Sequence, residues 1–232
     1  MNSRAPIQTD PVPESRRERK QRTRADLLQA ALLLLKDNGF SSLSLREVSR
    51  EAGVVPTAFY RHFASMEELG LALVDESFRT LRQMIRSARS ETNPEHVIRS
   101  SVEILVRHVH ENRLHFRFIA RERFGGVGAL RQAIRSEIRL FSSELATDLA
   151  RFPYLNEWST EDLQMMAGLI VNAMVSTAEE ILDLPIDRPE VEDEIVRTVE
   201  KQLRLVALAT PHWRSAGSAQ SSTRPSAEGS SL

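Results

Sequence analysis

The side chains that most often carry chemistry are sparse in this chain, and their spacing indicates no catalytic or metal site. Cysteine is absent from the 232 residues, which excludes disulfides and thiolate chemistry. His110 and His115, in HENRLH, are five residues apart, whereas the zinc motif HExxH places its histidines four apart on one helical face. The extra residue rotates the second ring by about 100°. No histidine has a Ser or Asp at a spacing typical of catalysis, so we expect neither a cofactor nor enzymatic activity.

The segment GVVPTAFYRHF (53–63) combines polar and aromatic side chains that suit a nucleic acid rather than a reaction. Pro56 favours the first turn of a short helix over 56–62. Phe59 and Phe63, four residues apart, would hold that helix to a core. The outward face then carries Thr57, Ala58, Tyr60, Arg61 and His62. Arg and Thr can contact base edges in the major groove, whereas Tyr and His suit phosphate oxygens.

Two further helices position this segment. Ser44 and Glu47 form a capping-box pattern at the start of a helix over 45–52, which stops at a glycine, Gly53. A longer helix over 20–37 precedes it, and we expect Gly39 to take the left-handed conformation of a C-cap. Two short helices joined by a tight glycine turn form a helix-turn-helix unit, whose second helix enters the major groove of DNA.

Positive charge is concentrated near the N-terminus, although the net charge of the chain is −1. Residues 1–63 contain 11 Lys/Arg and 7 Asp/Glu, a net of +4, which leaves −5 for the remainder. The stretch RRERKQRTR (16–24) has six bases and one acid. This asymmetry predicts a polyanionic partner, although a solvated, disordered arm explains the stretch equally well.

Apolar residues recur with a helical period along most of the chain, and β-branched alternation is absent, so the sequence predicts an all-α protein. An N-terminal helix-turn-helix DNA-binding domain of three helices (16–64) precedes a C-terminal ligand-binding and dimerisation bundle (65–212). We expect disordered ends at 1–15 and 213–232. Helices of the bundle are predicted over 66–90, 94–112, 114–123, 127–152, 160–183 and 189–209.

No apolar run approaches the roughly 18 residues of a membrane span, and the N-terminus has no signal-peptide core. The sequence therefore predicts a protein without a membrane segment. The absence of cysteine fits a reducing compartment, and we expect the protein to be cytoplasmic.

Residues 22–70 resemble the DNA-binding domain of the TetR family of one-component repressors. The similarity rests on RTRADLLQAALLLLKDNGFSSLSLREVSREAGVVPTAFYRHFASMEELG, in particular on its GF, AGV, YRHF and EEL elements in order and spacing. The resemblance implies a homodimer that binds a palindromic operator in double-stranded DNA. We assign DNA contacts to Arg24, Ser44, Arg46, Thr57, Ala58, Tyr60, Arg61 and His62.

Within that family, SLSLREVSREAGVVPTAFYRHF and the later RERFGG resemble the repressors of unsaturated fatty-acid synthesis and desaturation, the FabR/DesT type. This likeness extends more weakly over most of the chain. It implies an effector that is a fatty acyl-CoA or acyl carrier protein thioester. Two positions depart from the wider family, because Val55 stands where many relatives have a capping Ser and Met66 where a Lys is common.

Apolar and aromatic residues cluster along 104–152, where a ligand could lie between helices. For any single residue, packing in a bundle core is the simpler interpretation. Arg117, Arg121 and Arg123 are candidates for a polar mouth, although surface salt bridges explain them as well. We assign ligand contacts to Phe116, Ile119, Arg123, Ile134 and Phe141.

Helices 160–183 and 189–209 each carry an apolar stripe, which suits a four-helix interface with a second copy. The stripe of the first includes Met165, Leu169, Val171, Met174, Val175, Ala178 and Leu182. The sequence thus predicts a homodimeric repressor that senses long-chain acyl thioesters and controls fatty-acid synthesis or desaturation genes. The alternative is a TetR repressor that senses an unrelated hydrophobic compound and controls an efflux or catabolic operon.

Overall fold

The computed structural model describes residues 15–88, 94–185 and 188–215, and every regular element in these ranges is helical. The predicted all-α fold is confirmed. The helices are α1 (Arg16–Leu34), α2 (Leu45–Glu51), α3 (Pro56–Phe59), α4 (Met66–Ala88), α5 (Pro94–Glu111), α6 (Arg113–Glu122), α7 (Gly128–Leu149), α8 (Thr160–Asp183) and α9 (Pro189–Ala209), with short 3-10 turns at Phe40–Ser42 and Thr210–His212. Residues 1–14 of the predicted arm, 216–232 of the predicted tail and 89–90 of the predicted helix 66–90 lie outside the described residues.

Helix α1 begins four residues earlier than predicted and ends three residues earlier. Its start is fixed by a capping box in which Ser15 and Glu18 each bond the other's backbone amide. The basic stretch 16–24 is therefore helical and mostly exposed rather than a disordered arm. The prediction for Gly39 is wrong, since its φ is −81°. Among the glycines that the structure describes, Gly53 is the one with a positive φ, at 66°.

The helix-turn-helix unit and the bundle share one hydrophobic core, although the predicted domains meet at residues 64 and 65. Buried residues of this core come from α1, the 3-10 turn, α2 and α3, and also from α4, α6 and α7. They include Leu27, Leu28, Phe40, Val48, Phe59, Phe63, Leu69, Leu73, Phe78, Phe118, Leu130 and Ile134. The unit is thus held against α4, α6 and α7 by continuous apolar packing.

The C-terminal helices form a bundle around α8, which packs against α5, α6, α7 and α9. Helices α8 and α9 have the predicted limits, whereas α7 ends at Leu149, three residues before the prediction. The start of the predicted tail is packed rather than free. The Trp213 ring lies 6.4 Å from that of Trp158, and the Ser215 hydroxyl accepts a hydrogen bond from the Ser159 amide at 2.7 Å.

Helix α8 is long and apolar enough to span a membrane, judged by length and composition alone, with a mean hydropathy of 1.3 over its best window. Helices in the core of globular proteins often have the same length and apolar composition, so one such helix in the described residues is weak evidence for a membrane span. Its packing against four other helices explains part of this apolar character.

Candidate DNA interface and ligand cavity

The turn between α2 and α3 depends on a few local interactions. Ser44 and Glu47 form the predicted capping box at the start of α2, and Gly53 in its left-handed conformation reverses the chain. Pro56 occupies the first turn of α3, where Val55 provides no side-chain cap, as predicted. The α-helical part of α3 is shorter than predicted. It stops at Phe59, because the amides of Arg61 and His62 bond carbonyls only three residues earlier.

The exposed side of α3 and the following turn brings the predicted polar residues together. Thr57 and Arg61 are exposed, and 63% of the Tyr60 surface is accessible. Ala58 and His62 are half-buried. Phe59 and Phe63 are buried as predicted, with their ring centroids 5.7 Å apart. Two buried aromatic rings thus fix the orientation of the neighbouring exposed side chains.

The other three predicted DNA contacts lie on α1 and at α2. Arg24 places its guanidinium 5.0 Å from the centre of the Phe63 ring, which ties α1 to the end of the segment 53–63. The Ser44 hydroxyl is occupied by the capping box, although the residue is exposed. Arg46 is exposed in the first turn of α2.

Electrostatics around His62 favour an anion. Burial lowers the pKa of His62, and the positive charges of Lys20, Arg24 and Arg61 lower it further. Its Nδ1 atom is buried and has no hydrogen-bond partner within the part of the chain that the structure describes. Three basic groups around a neutral imidazole form a local excess of positive charge, which attracts phosphate.

A cavity of about 230 Å³ lies between α4, α5, α6, α7 and α8. Four of the five predicted ligand contacts, Phe116, Ile119, Arg123 and Phe141, line it. The fifth does not, because Ile134 is fully buried in the core shared with the helix-turn-helix unit. The remaining apolar wall includes Phe78, Leu81, Ile104, Leu105, Ile138, Leu145 and Ile170.

Helix α8 contributes the part of the wall that sequence reasoning missed. Val171, Met174, Val175, Ala178 and Leu182, all assigned to the dimer stripe, line the cavity instead. Of that stripe, Met165 and Leu169 are exposed. The sequence does contain an indication of this role, because the apolar surface of α8 is broader than a single dimer interface requires.

Charged residues in and beside the cavity form ion pairs. The Arg123 guanidinium lies 2.9 Å from a Glu179 carboxylate oxygen. Arg82 contacts both Glu137 and Glu144 and stacks 5.2 Å from the centre of the Phe141 ring. The predicted mouth is only partly correct, because Arg117 and Arg121 do not line the cavity.

Family models match both halves of the chain. One described as "Bacterial regulatory proteins, tetR family" matches residues 27–73, and one described as "Tetracyclin repressor-like, C-terminal domain" matches residues 94–203. The first covers the helix-turn-helix unit and the start of α4, and the second covers most of the bundle.

Three solved structures illustrate the fold similarity. A transcriptional regulator from Pseudomonas aeruginosa PAO1 has a TM-score of 0.64 and 21% identity, over 88% of this chain and 99% of the other. FadR from Bacillus subtilis in complex with stearoyl-CoA has a TM-score of 0.62 and 14% identity, over 78% of this chain and 96% of the other. AibR in complex with isovaleryl coenzyme A and operator DNA has a TM-score of 0.58 and 17% identity, over 76% of this chain and 97% of the other. At these identities the likeness shows a common fold.

Proposed function

Given that the chain belongs to the TetR family of DNA-binding transcriptional regulators, we propose that it is a homodimeric repressor whose affinity for a palindromic operator responds to a long-chain fatty acyl thioester. Its targets would be genes of fatty-acid synthesis or desaturation, in keeping with the resemblance to the FabR/DesT type. We place this activity in the cytoplasm and divide it between a DNA-binding domain (16–64) and a ligand-binding and dimerisation domain (65–212).

DNA contact is proposed for the surface formed by α3, the turn after it and the nearby parts of α1 and α2. Thr57, Ala58 and Arg61 would face base edges, whereas Tyr60 and His62 would contact phosphates. Arg24, Ser44 and Arg46 would contact the backbone on either side. The exposure of Tyr60 and Arg61 beside the buried Phe59 supports this assignment, since a purely structural turn has no need of it.

The observation that carries the ligand proposal is the apolar cavity bounded by α4. This helix lines the cavity with Phe78 and Leu81, and its first turns pack in the core of the helix-turn-helix unit through Leu69 and Leu73. The cavity volume of about 230 Å³ is below the range of about 300–1,000 Å³ typical for drug-sized ligands. A long acyl chain would therefore have to separate the walls, and α4 would carry that movement towards the DNA.

Acyl chemistry is further supported by two structural neighbours. FadR from Bacillus subtilis was solved with stearoyl-CoA, and AibR with isovaleryl coenzyme A. In this chain, Phe116, Ile119 and Phe141 would contact the acyl chain and Arg123 its polar end. An acyl carrier protein thioester presents the same acyl group and would occupy the same cavity.

The dimer is proposed to form through α8 and α9. Met165 and Leu169 on α8 and Leu205 and Leu208 on α9 are between 45% and 70% exposed, which is unusual for large apolar side chains on neighbouring helices. A second copy would cover them. The two copies of the proposed recognition segment (53–63) would then contact two half-sites of the operator.

One observation favours the alternative effector, an unrelated hydrophobic compound. Three carboxylates, Glu144, Asp148 and Glu179, line the cavity with a single guanidinium, that of Arg123. Each of these carboxylates forms an ion pair with an arginine, so the cavity offers no spare positive charge to the phosphates of coenzyme A and favours a neutral apolar molecule. Such a repressor would control an efflux or catabolic operon.

Stearoyl-CoA and oleoyl-CoA, which differ in one cis double bond, test the proposal. With operator DNA selected from a random pool, we expect the two to change operator affinity differently, by at least about fivefold, or roughly 1 kcal/mol. Fluorescence anisotropy of labelled operator measures this. Ile119→Trp, which narrows the cavity, should reduce the difference without abolishing DNA binding. Equal effects of both thioesters, or none, would contradict acyl sensing, and a response to tetraphenylphosphonium instead would support the alternative.

A further inference from the structure

Helix α6 contacts the ligand cavity and the helix-turn-helix unit at the same time. Phe116, Ile119 and Ala120 form part of the cavity wall. On the following turn, Arg121 Nη1 donates to the carbonyl oxygens of Leu35, at 3.3 Å, and Asn38, at 2.7 Å, just beyond the end of α1. The end of α6 is therefore bonded to the backbone that leads from α1 to α2.

Glu122 makes a second bond to the same unit. Only 1% of its surface is accessible, and its Oε1 accepts a hydrogen bond from the Phe40 amide at 2.9 Å. Its Oε2 is buried without a hydrogen-bond partner in the described residues. A Cβ at Gly125 would lie 2.1 Å from Oε2, so the glycine after α6 provides the space for this carboxylate. A buried carboxylate with one partner persists only where its surroundings hold it firmly.

Phe40, the residue that Glu122 holds, also contacts α4. A Cβ on Gly70 of α4 would lie 2.6 Å from the Phe40 ring, so the ring rests directly on the α4 backbone. Phe40 is itself 96% buried. The 3-10 turn that precedes α2 is thus fixed between α4 on one side and α6 on the other, and both helices line the cavity.

We infer that Arg121 and Glu122 are coupling residues, which transmit movement of the cavity wall to the helix-turn-helix unit through Leu35, Asn38 and Phe40. This rests on the proposed function in one respect, that occupation of the cavity alters DNA binding. A shift of α6 that makes room for a ligand must either move the loop between α1 and α2 or break these bonds. Because the Glu122 bond is buried, moving the loop is the less costly outcome.

The test uses two substitutions and one matched control in the full-length protein. Glu122→Met keeps an unbranched side chain of similar length and removes the oxygen that accepts from the Phe40 amide. Arg121→Met keeps an unbranched chain at an exposed position and removes both bonds to carbonyls. Arg117→Met is the control. Arg117 lies one turn before Arg121 on α6 and has no hydrogen bond to α1 within the described residues. Thermal unfolding establishes that each variant is folded.

Operator affinity is measured with and without saturating stearoyl-CoA. We expect the ratio of the two affinities to fall from at least about fivefold in the wild type to less than about twofold in Glu122→Met and Arg121→Met. Operator affinity without ligand and stearoyl-CoA affinity without DNA should each stay within about threefold of the wild-type values. Arg117→Met should retain the wild-type ratio. An unchanged ratio in both folded variants would overturn the inference.

A second measurement separates this inference from the acyl proposal. We expect Nile red, a neutral apolar dye, to bind in the apolar cavity. Operator DNA should then change the affinity for the dye by the same factor by which the dye changes operator affinity. If stearoyl-CoA has no effect but Nile red is coupled to DNA in the wild type and uncoupled in the variants, the coupling role stands and the acyl effector is wrong. If neither compound is coupled to DNA in the wild type, the coupling role is wrong as well.

Discussion

Adjacent aromatic residues in the recognition segment should respond to truncation in opposite ways. Phe59 is fully buried and packs against Phe63, whereas 63% of the Tyr60 surface is accessible. Phe59→Ala removes a whole buried ring, so we expect the free energy of unfolding to fall by about 3–5 kcal/mol. Tyr60→Ala removes the smaller buried part of its ring and the edge interaction with Phe59, at a centroid distance of 5.7 Å, which corresponds to about 1 kcal/mol.

Operator binding should show the reverse order among folded molecules. Without the Tyr60 side chain on a phosphate, operator affinity should weaken by about 1–3 kcal/mol per recognition segment, or about 5- to 150-fold. Urea unfolding followed by circular dichroism gives the stability of each variant, and anisotropy of labelled operator gives its affinity. Tyr60→Phe is the matched control, since it keeps the ring and removes only the hydroxyl.

The assignment of the recognition segment would be refuted if folded Tyr60→Ala bound operator with wild-type affinity. A decrease in stability as large in Tyr60→Ala as in Phe59→Ala would show instead that the tyrosine ring is buried in solution. Equal weakening by Tyr60→Phe and Tyr60→Ala would assign the whole effect to the hydroxyl, consistent with a phosphate contact.

Three further outcomes follow from the charges and the exposed apolar face. Replacing Arg16 and Arg17 with Gln should weaken binding to operator and to random DNA alike. The slope of log affinity against log salt concentration should become shallower by about 0.9 for each phosphate that is no longer neutralised. An unchanged slope would show that this part of α1 lies away from the DNA. The pKa of His62 is lowered in the folded protein, so at acid pH the unfolded chain binds a proton at His62 more readily than the folded protein does. The free energy of unfolding is therefore unaffected by this group above about pH 6.5 and decreases as the pH falls below that value. The melting temperature should therefore drop more steeply from about pH 7.5 to about pH 5.5 in the wild type than in His62→Gln, and identical slopes would contradict the effect of burial. Leu169→Glu should yield monomers in analytical ultracentrifugation, whereas Leu140→Glu, at a similarly exposed site on α7, should leave the dimer intact.

Local patterns in the sequence predicted much of the helix-turn-helix unit. The capping box of Ser44 and Glu47 and the spacing of Phe59 and Phe63 depend on residues within one turn of each other, so they are legible without a fold. The same logic failed at Gly39, because α1 ends earlier and the chain passes directly into a 3-10 turn. A glycine signals conformational freedom and does not show whether that freedom is used.

Contacts between distant residues were beyond such patterns. Glu122 and Phe40 are 82 residues apart, and nothing in either neighbourhood indicates that an acidic residue is buried there. Periodicity likewise identified Ile134 and Met174 as apolar positions without revealing what covers them. Ile134 lies in the core shared with the helix-turn-helix unit, and Met174 lies on the cavity wall. Helical periodicity gives the buried face of a helix but not the partner that it packs against.

The core shared by the helix-turn-helix unit and the C-terminal bundle limits how such a protein can be recombined. A chimera cut between residues 64 and 65 would separate Leu27 and Phe63 from Phe118 and Leu130, which belong to the same buried cluster. The transferable unit is instead discontinuous in sequence, since it needs the first turns of α4 together with parts of α6 and α7. New effector specificity would therefore arise more readily through substitutions along the cavity wall than through exchange of whole halves between relatives.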